Sequence, residues 1–180
     1  MRRVVVLASV PVAVVVAIVL GFALTGGAGQ PTPGVVATSA PLPTVAGRTL
    51  GGSTFSSREH RGHVLVLNFW NPYCAPCRGE ATVLDLADGT LAPRGVVLVG
   101  VLFSNSTFPH DVAAARRFAR ELGERYPSID DAAGRIASAL SIRGIPTTVV
   151  ADASGTIRYE VFGALKKGEL ERLVKRVSSR

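Results

Sequence analysis

Cysteine is scarce in this sequence, with two residues among 180. So low a count excludes a small domain stapled by several disulfides. It also argues against a structural zinc site. Such a site takes four ligands, and beyond Cys74 and Cys77 the chain offers only His60, His63 and His110. Acidic residues are few as well: 13 against 20 Lys and Arg, for a net charge of +7. No charge of either sign occurs from Val4 to Leu24 or from Thr25 to Gly47. There is no internal repeat, and no low-complexity tract outside that second stretch. What is present is 47% hydrophobic residues, much of it in periodic segments, which excludes a globally disordered chain. The length suits one ordinary domain with an appendage and hardly two full domains.

The appendage is N-terminal. Met1-Arg2-Arg3 precedes the uncharged run Val4 to Leu24, which is long enough to cross a bilayer core as a helix. It is longer than the roughly 7 to 15 apolar residues of a cleavable signal. Pro11 and Gly21 do not oppose this, since both residues are tolerated in membrane helices. With the two arginines on the cytoplasmic side, the remainder lies outside the cytoplasm. The competing reading is a long signal cut near Ala28. Residues 1–24 are therefore read as an anchor and residues 25–40, rich in Pro and Gly, as a linker. The whole uncharged stretch Thr25 to Gly47 has a reach of about 25 to 30 Å if it behaves as a flexible coil. Residues 41–180 are read as the folded domain.

Within the domain, His63 to Trp70 (HVLVLNFW) and Gly95 to Phe103 (GVVLVGVLF) are nearly continuous runs of strand-forming residues, the pattern of strands buried on both faces. Cys77 to Ala87 places Ala81 and Leu84, with Val83 and Ala87 as candidates beside them, on one side at helical spacing, ending near Gly89. Strand, helix and strand then make a parallel crossover unit. Asp111 to Arg125 reads as a second helix, Ala132 to Leu140 as a shorter one and Lys167 to Val177 as a closing amphipathic helix. Thr147 to Ala151 and Thr156 to Phe162 form a hairpin about the turn Asp152-Ala153-Ser154-Gly155.

Cys74-Ala75-Pro76-Cys77 falls between the first buried strand and the first helix. At a helix start the unpaired backbone N–H groups and the helix dipole favour an anion, so the Cys74 thiolate is stabilised and its pKa lowered. Cys77, one turn deeper, is expected to be less exposed and to act as the resolving thiol. Pro76 suits the first turn, where its missing N–H is not needed. The pair can then cycle between dithiol and disulfide. An inert structural bridge is the alternative, but closing so short a ring restrains little unfolded-chain entropy.

Phe69-Trp70-Asn71-Pro72-Tyr73-Cys74-Ala75-Pro76-Cys77 resembles the active-site motif of the thioredoxin superfamily, and Gly144-Ile145-Pro146-Thr147-Thr148 resembles its cis-proline loop. More narrowly, the stretch from about Pro41 to Val177 is similar to the membrane-anchored TlpA/ResA-like thiol-disulfide oxidoreductases of bacteria. The resemblance implies an α/β thioredoxin-like fold, a central mixed sheet flanked by helices, with an N-terminal transmembrane helix. It makes Cys74 the attacking and Cys77 the resolving cysteine. Pro146 becomes the cis-proline facing them, and Ile145 presents its backbone to an extended substrate segment. Trp70 and Tyr73 are expected beside the site as substrate contacts, with simple core or rim packing as the alternative for either. Glu80 matches an acidic residue found near the thiols in ResA-like proteins and has two readings: a proton carrier for Cys77, or a first-turn acid that complements the helix dipole. Asn68 stands where cytoplasmic thioredoxins have a buried aspartate. Thr147 replaces an acid that often follows the cis-proline in dedicated cytochrome-maturation reductases.

The resemblance thus implies an enzyme exchanging disulfides with extracytoplasmic proteins, more as reductant than oxidant, with cytochrome c or other envelope proteins as candidate substrates. Its partners are protein thiols and disulfides, a membrane electron donor or acceptor, and lipid through the anchor; no cofactor and no metal is required. An oxidising DsbE-like catalyst, a peroxiredoxin and a copper carrier are the alternatives. A peroxidatic cysteine needs a threonine or serine three positions before it and a proline seven before, where Cys74 has Asn71 and Leu67. Copper carriers of the Sco type space their cysteines by three residues and not two. Setting Arg2 and Arg3 aside leaves +5 of the +7, partly on the last helix, where a solvated face is the default. Nucleic acid is not an expected partner outside the membrane.

Overall fold

The computed structural model describes residues 34–123 and 125–179. A six-stranded mixed sheet runs in the order β1-β8-β7-β4-β5-β6. Its centre is β4 (Leu65–Trp70), every residue of which is buried. β4 pairs in parallel with β5 (Val97–Leu102) and antiparallel with β7 (Thr147–Ala151). The helix α1 (Ala75–Leu91) joins β4 to β5, which is the crossover unit that two buried apolar strands require. Beyond β5 lies β6 (Ser128–Asp130), parallel to it. Beyond β7 lies β8 (Thr156–Phe162), which closes the expected hairpin, and outside that β1 (Gly34–Pro41). The remaining helices are α2 (Val112–Leu122), α3 (Arg135–Ala139) and α4 (Glu169–Ser178).

Alternation along β4 sorts the core into two layers. Val66 of β4 packs with Leu84, Ala87 and Leu91 of α1 and with Leu170, Leu173, Val174 and Val177 of α4. Leu65, Leu67 and Phe69 point to the opposite face, against Ile136 and Ala137 of α3, Phe55 of a small separate ribbon and Val45 just before it. That ribbon is β2 (Ala46–Arg48) paired antiparallel with β3 (Thr54–Ser56). α4 is strongly amphipathic, which explains why its apolar stripe is so well sealed while its lysines and arginines face outward.

Several elements differ from the sequence reading. Residues 34–40 fall in the segment read as linker, yet they form edge strand β1, which is held by backbone pairing to β8 although Val35 and Val36 are exposed. The ribbon β2–β3 and strand β6 have three residues each, too short for any periodicity to register. The second helix stops at Leu122 because Gly123 adopts φ 67°, a left-handed cap, and not at Arg125. The expected anchor, residues 1–24, lies outside the described residues. Among the described residues no helix is long and apolar enough to cross a membrane.

Candidate active site

The two cysteines close a disulfide, with an S–S distance of 2.06 Å. Cys74 is the N-cap of α1: its backbone is extended, and its Sγ accepts a hydrogen bond from the Cys77 backbone N–H at 3.2 Å. This is the position expected from the motif. The Cys77 N–H of the first turn of α1 points at the sulfur, and Pro76 sits in that turn without wasting a donor. In the dithiol state the same geometry stabilises a Cys74 thiolate.

The expectation that Cys77 is the less exposed of the two is corrected. Both residues are 2% exposed and belong to one apolar cluster with Leu50, Trp70, Ala81, Leu102, Ala115 and Phe118. Phe108, Val112 and Ile145 pack against that cluster. The bond draws both sulfurs to the same depth, so helix position alone does not separate them. The Ile145–Pro146 peptide bond is cis. Phe69 pairs with Thr147, so continuing that register brings Pro146 level with Trp70 on the neighbouring strand, at the end of the sheet from which Cys74 departs.

Trp70 is not a rim residue. It is 2% exposed, its ring lies 5.1 Å from that of Phe118, and its indole N–H donates to Ser128 Oγ at 3.2 Å. A core role replaces the substrate contact expected of it, because as the last residue of β4 it alternates toward α1 and α2. Tyr73, by contrast, is 53% exposed. Its hydroxyl donates to Asp111 Oδ2 at 2.6 Å, and this bond is the main reason that its own pKa is raised. Asp111 also caps α2 by accepting from the Ala114 N–H at 2.8 Å. That cap first, then the Tyr73 hydroxyl, holds its carboxyl below the usual range.

Glu80 is 1% exposed. Of the two readings of this residue, the surface acid of a first helical turn does not fit such burial. Its Oε1 accepts from Asn68 Nδ2 at 2.9 Å and its Oε2 from the Leu165 backbone N–H at 2.8 Å. Burial is the dominant influence and outweighs both hydrogen bonds, pushing its pKa up to about 7. Asn68 also donates to Thr148 Oγ1 at 3.1 Å. A buried polar chain thus links β7, β4, α1 and the segment before α4, one helical turn beyond Cys77.

One functional residue escaped the sequence reading. Asn71 is fully buried, and its Nδ2 donates to the carbonyls of Phe103 at 2.8 Å and Pro109 at 3.1 Å, while its Oδ1 accepts from the Tyr73 N–H. The signal available was a polar residue wedged between a buried strand and a helix start, a place where an amide must find partners. The histidines lie apart: His60 stacks on Phe55, His63 meets the Gly95 carbonyl and His110 pairs with Asp130 at 2.6 Å.

Comparison with known proteins agrees with this geometry. A model of the AhpC/TSA family matches residues 36–160. The chain is 24% identical over 137 residues to the thiol-disulfide oxidoreductase ResA of Geobacillus kaustophilus, covering 76% of each protein. It is 33% identical over 125 residues to the thiol:disulfide interchange protein DsbE of Pseudomonas fluorescens biotype C, covering 69% of this chain and 63% of that one. Among solved structures, a thioredoxin-family thiol:disulfide interchange protein from Chlorobium tepidum TLS is similar with a TM-score of 0.68 at 28% identity, over 79% of this chain and 98% of that chain. The fold is thioredoxin-like.

Proposed function

The chain belongs to the AhpC/TSA family, and from that premise we propose that it is a membrane-anchored, extracytoplasmic thiol-disulfide oxidoreductase that reduces disulfides in proteins. The observation that carries the reading is the Cys74–Cys77 bond at the N-terminal cap of α1.

In the dithiol form, the Cys74 thiolate attacks one sulfur of a substrate disulfide, giving a mixed disulfide and releasing the other sulfur as a thiolate. Cys77 then attacks Cys74 Sγ, the second substrate sulfur leaves, and the bond seen here forms. Two electrons pass to the substrate. The proton that Cys77 gives up is taken by Glu80, one turn further along α1, whose pKa near 7 suits proton exchange at neutral pH. Asn68 positions that carboxylate. The backbone at Ile145, ahead of Pro146, is the edge to which an extended substrate segment pairs. Return to the dithiol draws on an external dithiol donor at the membrane, to which the apolar run Val4 to Leu24 would hold the domain. Maturation of cytochrome c or of another envelope protein is the substrate class in keeping with the ResA and DsbE resemblance. Peroxide chemistry is disfavoured because position 71, three before Cys74, holds an asparagine whose amide is already engaged by Phe103 and Pro109.

The experiment is a trap. With Cys77→Ser the mixed disulfide cannot resolve, so envelope proteins accumulate on Cys74 in intact cells and are released by dithiothreitol. Recovery of no such adduct, together with a lack of insulin reduction by the wild type, would sink the proposal.

A further inference from the structure

The segment joining β5 to α2 is fastened across the redox site at three points. Near its start and towards its end, Asn71 Nδ2 holds the Phe103 and Pro109 carbonyls. At Asp111, the carboxylate receives the Tyr73 hydroxyl. Between them the chain is preorganised by Asn105: its Oδ1 accepts from the N–H groups of Thr107 and Phe108, both at 2.8 Å, and its own N–H donates to the Phe108 carbonyl at 2.9 Å. That turn seats Phe108 against the cluster that contains both cysteines. Both cysteines of that cluster are 2% exposed, whereas Tyr73, next in sequence to Cys74, is more than half exposed.

We propose that residues 103–111 form a strap controlling access to the Cys74–Cys77 pair, with Phe108 as its seat and the Tyr73–Asp111 hydrogen bond as its solvent-facing latch. This inference rests on the oxidoreductase reading and adds a selectivity to it. A disulfide carried on a folded protein needs the strap displaced, because its flanking chain must lie where Phe108 and the latch now sit. A small disulfide needs far less opening. Of the fastenings, Asn71 is buried and serves as the hinge-side clamp, while the latch bond is exposed and breaks at little cost. Tyr73 and Asp111 are therefore access residues that set which disulfides react, and they take no part in the electron transfer.

The test uses the full-length protein in detergent and two conservative variants. Tyr73→Phe keeps the ring and removes the hydroxyl. Asp111→Ser keeps a capping oxygen for α2 and removes the acceptor for Tyr73. Expected for each is a rate of insulin reduction raised by about 3- to 10-fold, the worth of one such hydrogen bond, with a smaller rise for hydroxyethyl disulfide. The double variant should go no further than either single one, since both break the same bond. Unchanged rates, an equal fall on both substrates, or additive effects would each overturn the strap. A second readout separates this from failure of the oxidoreductase reading: alkylation of the reduced pair by iodoacetamide and by a bulky polyethylene-glycol maleimide. If the wild type does not reduce insulin but the variants still speed the bulky reagent selectively, the enzymatic reading fails and the strap stands. If insulin is reduced and neither labelling nor rates respond to the variants, the strap fails alone.

Discussion

Replacing Glu80 by glutamine should change how stability depends on pH, by an amount that the burial of the carboxylate sets. Its pKa is about 7 in the folded protein against an ordinary 4.5, so the folded state holds the proton more tightly than the unfolded chain does. The wild type is accordingly most stable, in this respect, below about pH 4.5. It loses that contribution as pH rises from 4.5 through 7 and has lost all of it by about pH 8. At roughly 1.4 kcal/mol per pKa unit, the loss amounts to about 3 kcal/mol. Glutamine does not titrate. Its amide does place a donor where Glu80 had an acceptor facing Asn68 or Leu165, a mismatch worth about 1 to 3 kcal/mol, but that offset is the same at every pH. The diagnostic is therefore the difference between variant and wild type in urea unfolding of the oxidised proteins, followed from pH 4.5 to 8. It should move by about 3 kcal/mol in favour of glutamine as pH rises. Parallel stability curves would show that Glu80 is not perturbed, and would remove its claim to exchange a proton with Cys77 near neutrality.

Other outcomes test the scaffold and the chemistry separately. In the insulin assay, the wild type is expected to show a rate inflection near pH 7 that Glu80→Gln removes, while Cys74 stays able to form mixed disulfides. Gly100→Ala would drive a methyl into Ser128 Oγ and to 2.7 Å from Trp70 Nε1, and should lower stability by about 1 to 3 kcal/mol in a denaturant melt. Asp131 accepts from the N–H groups of Ile136 and Ala137 at the start of α3. Asp131→Ala should lower the melting temperature through loss of about 1 to 2 kcal/mol, yet leave the rate of insulin reduction per folded molecule unaltered.

Much of this site is local, and so it was legible. Cys74 follows a run of apolar residues and precedes a helix, so its capping position could be read from neighbours alone, and Pro76 confirmed the first turn. The identity of β4, β5 and the β7–β8 hairpin followed equally from continuous or alternating apolar character. What escaped was non-local. β1 reads as linker because GVVATSAP lacks a buried face; only its backbone partner 120 or so residues later makes it a strand. Tyr73 and Asp111 are 38 positions apart, and nothing in either neighbourhood announces the other. Trp70 reads as either core or rim from its place beside the motif, and strand alternation, which sends the indole inward, decides for the core. Glu80 showed its spacing but not its depth. A carboxylate at helical distance from Cys77 is visible in the sequence, while its sealing by Asn68 and Leu165 depends on elements brought together only by the fold.

The sheet has two ends with separate duties. Cys74, Pro146 and Phe103 all hang from the same end of the three central strands, whereas the Asp152–Gly155 turn closes β7 and β8 at the other. Strands of this length set the two ends roughly 15 to 20 Å apart. An affinity tag, fluorophore or surface-coupling handle inserted at Ser154 would thus sit on the quiet side of the molecule. The protein can be immobilised there with its redox end directed away from the support.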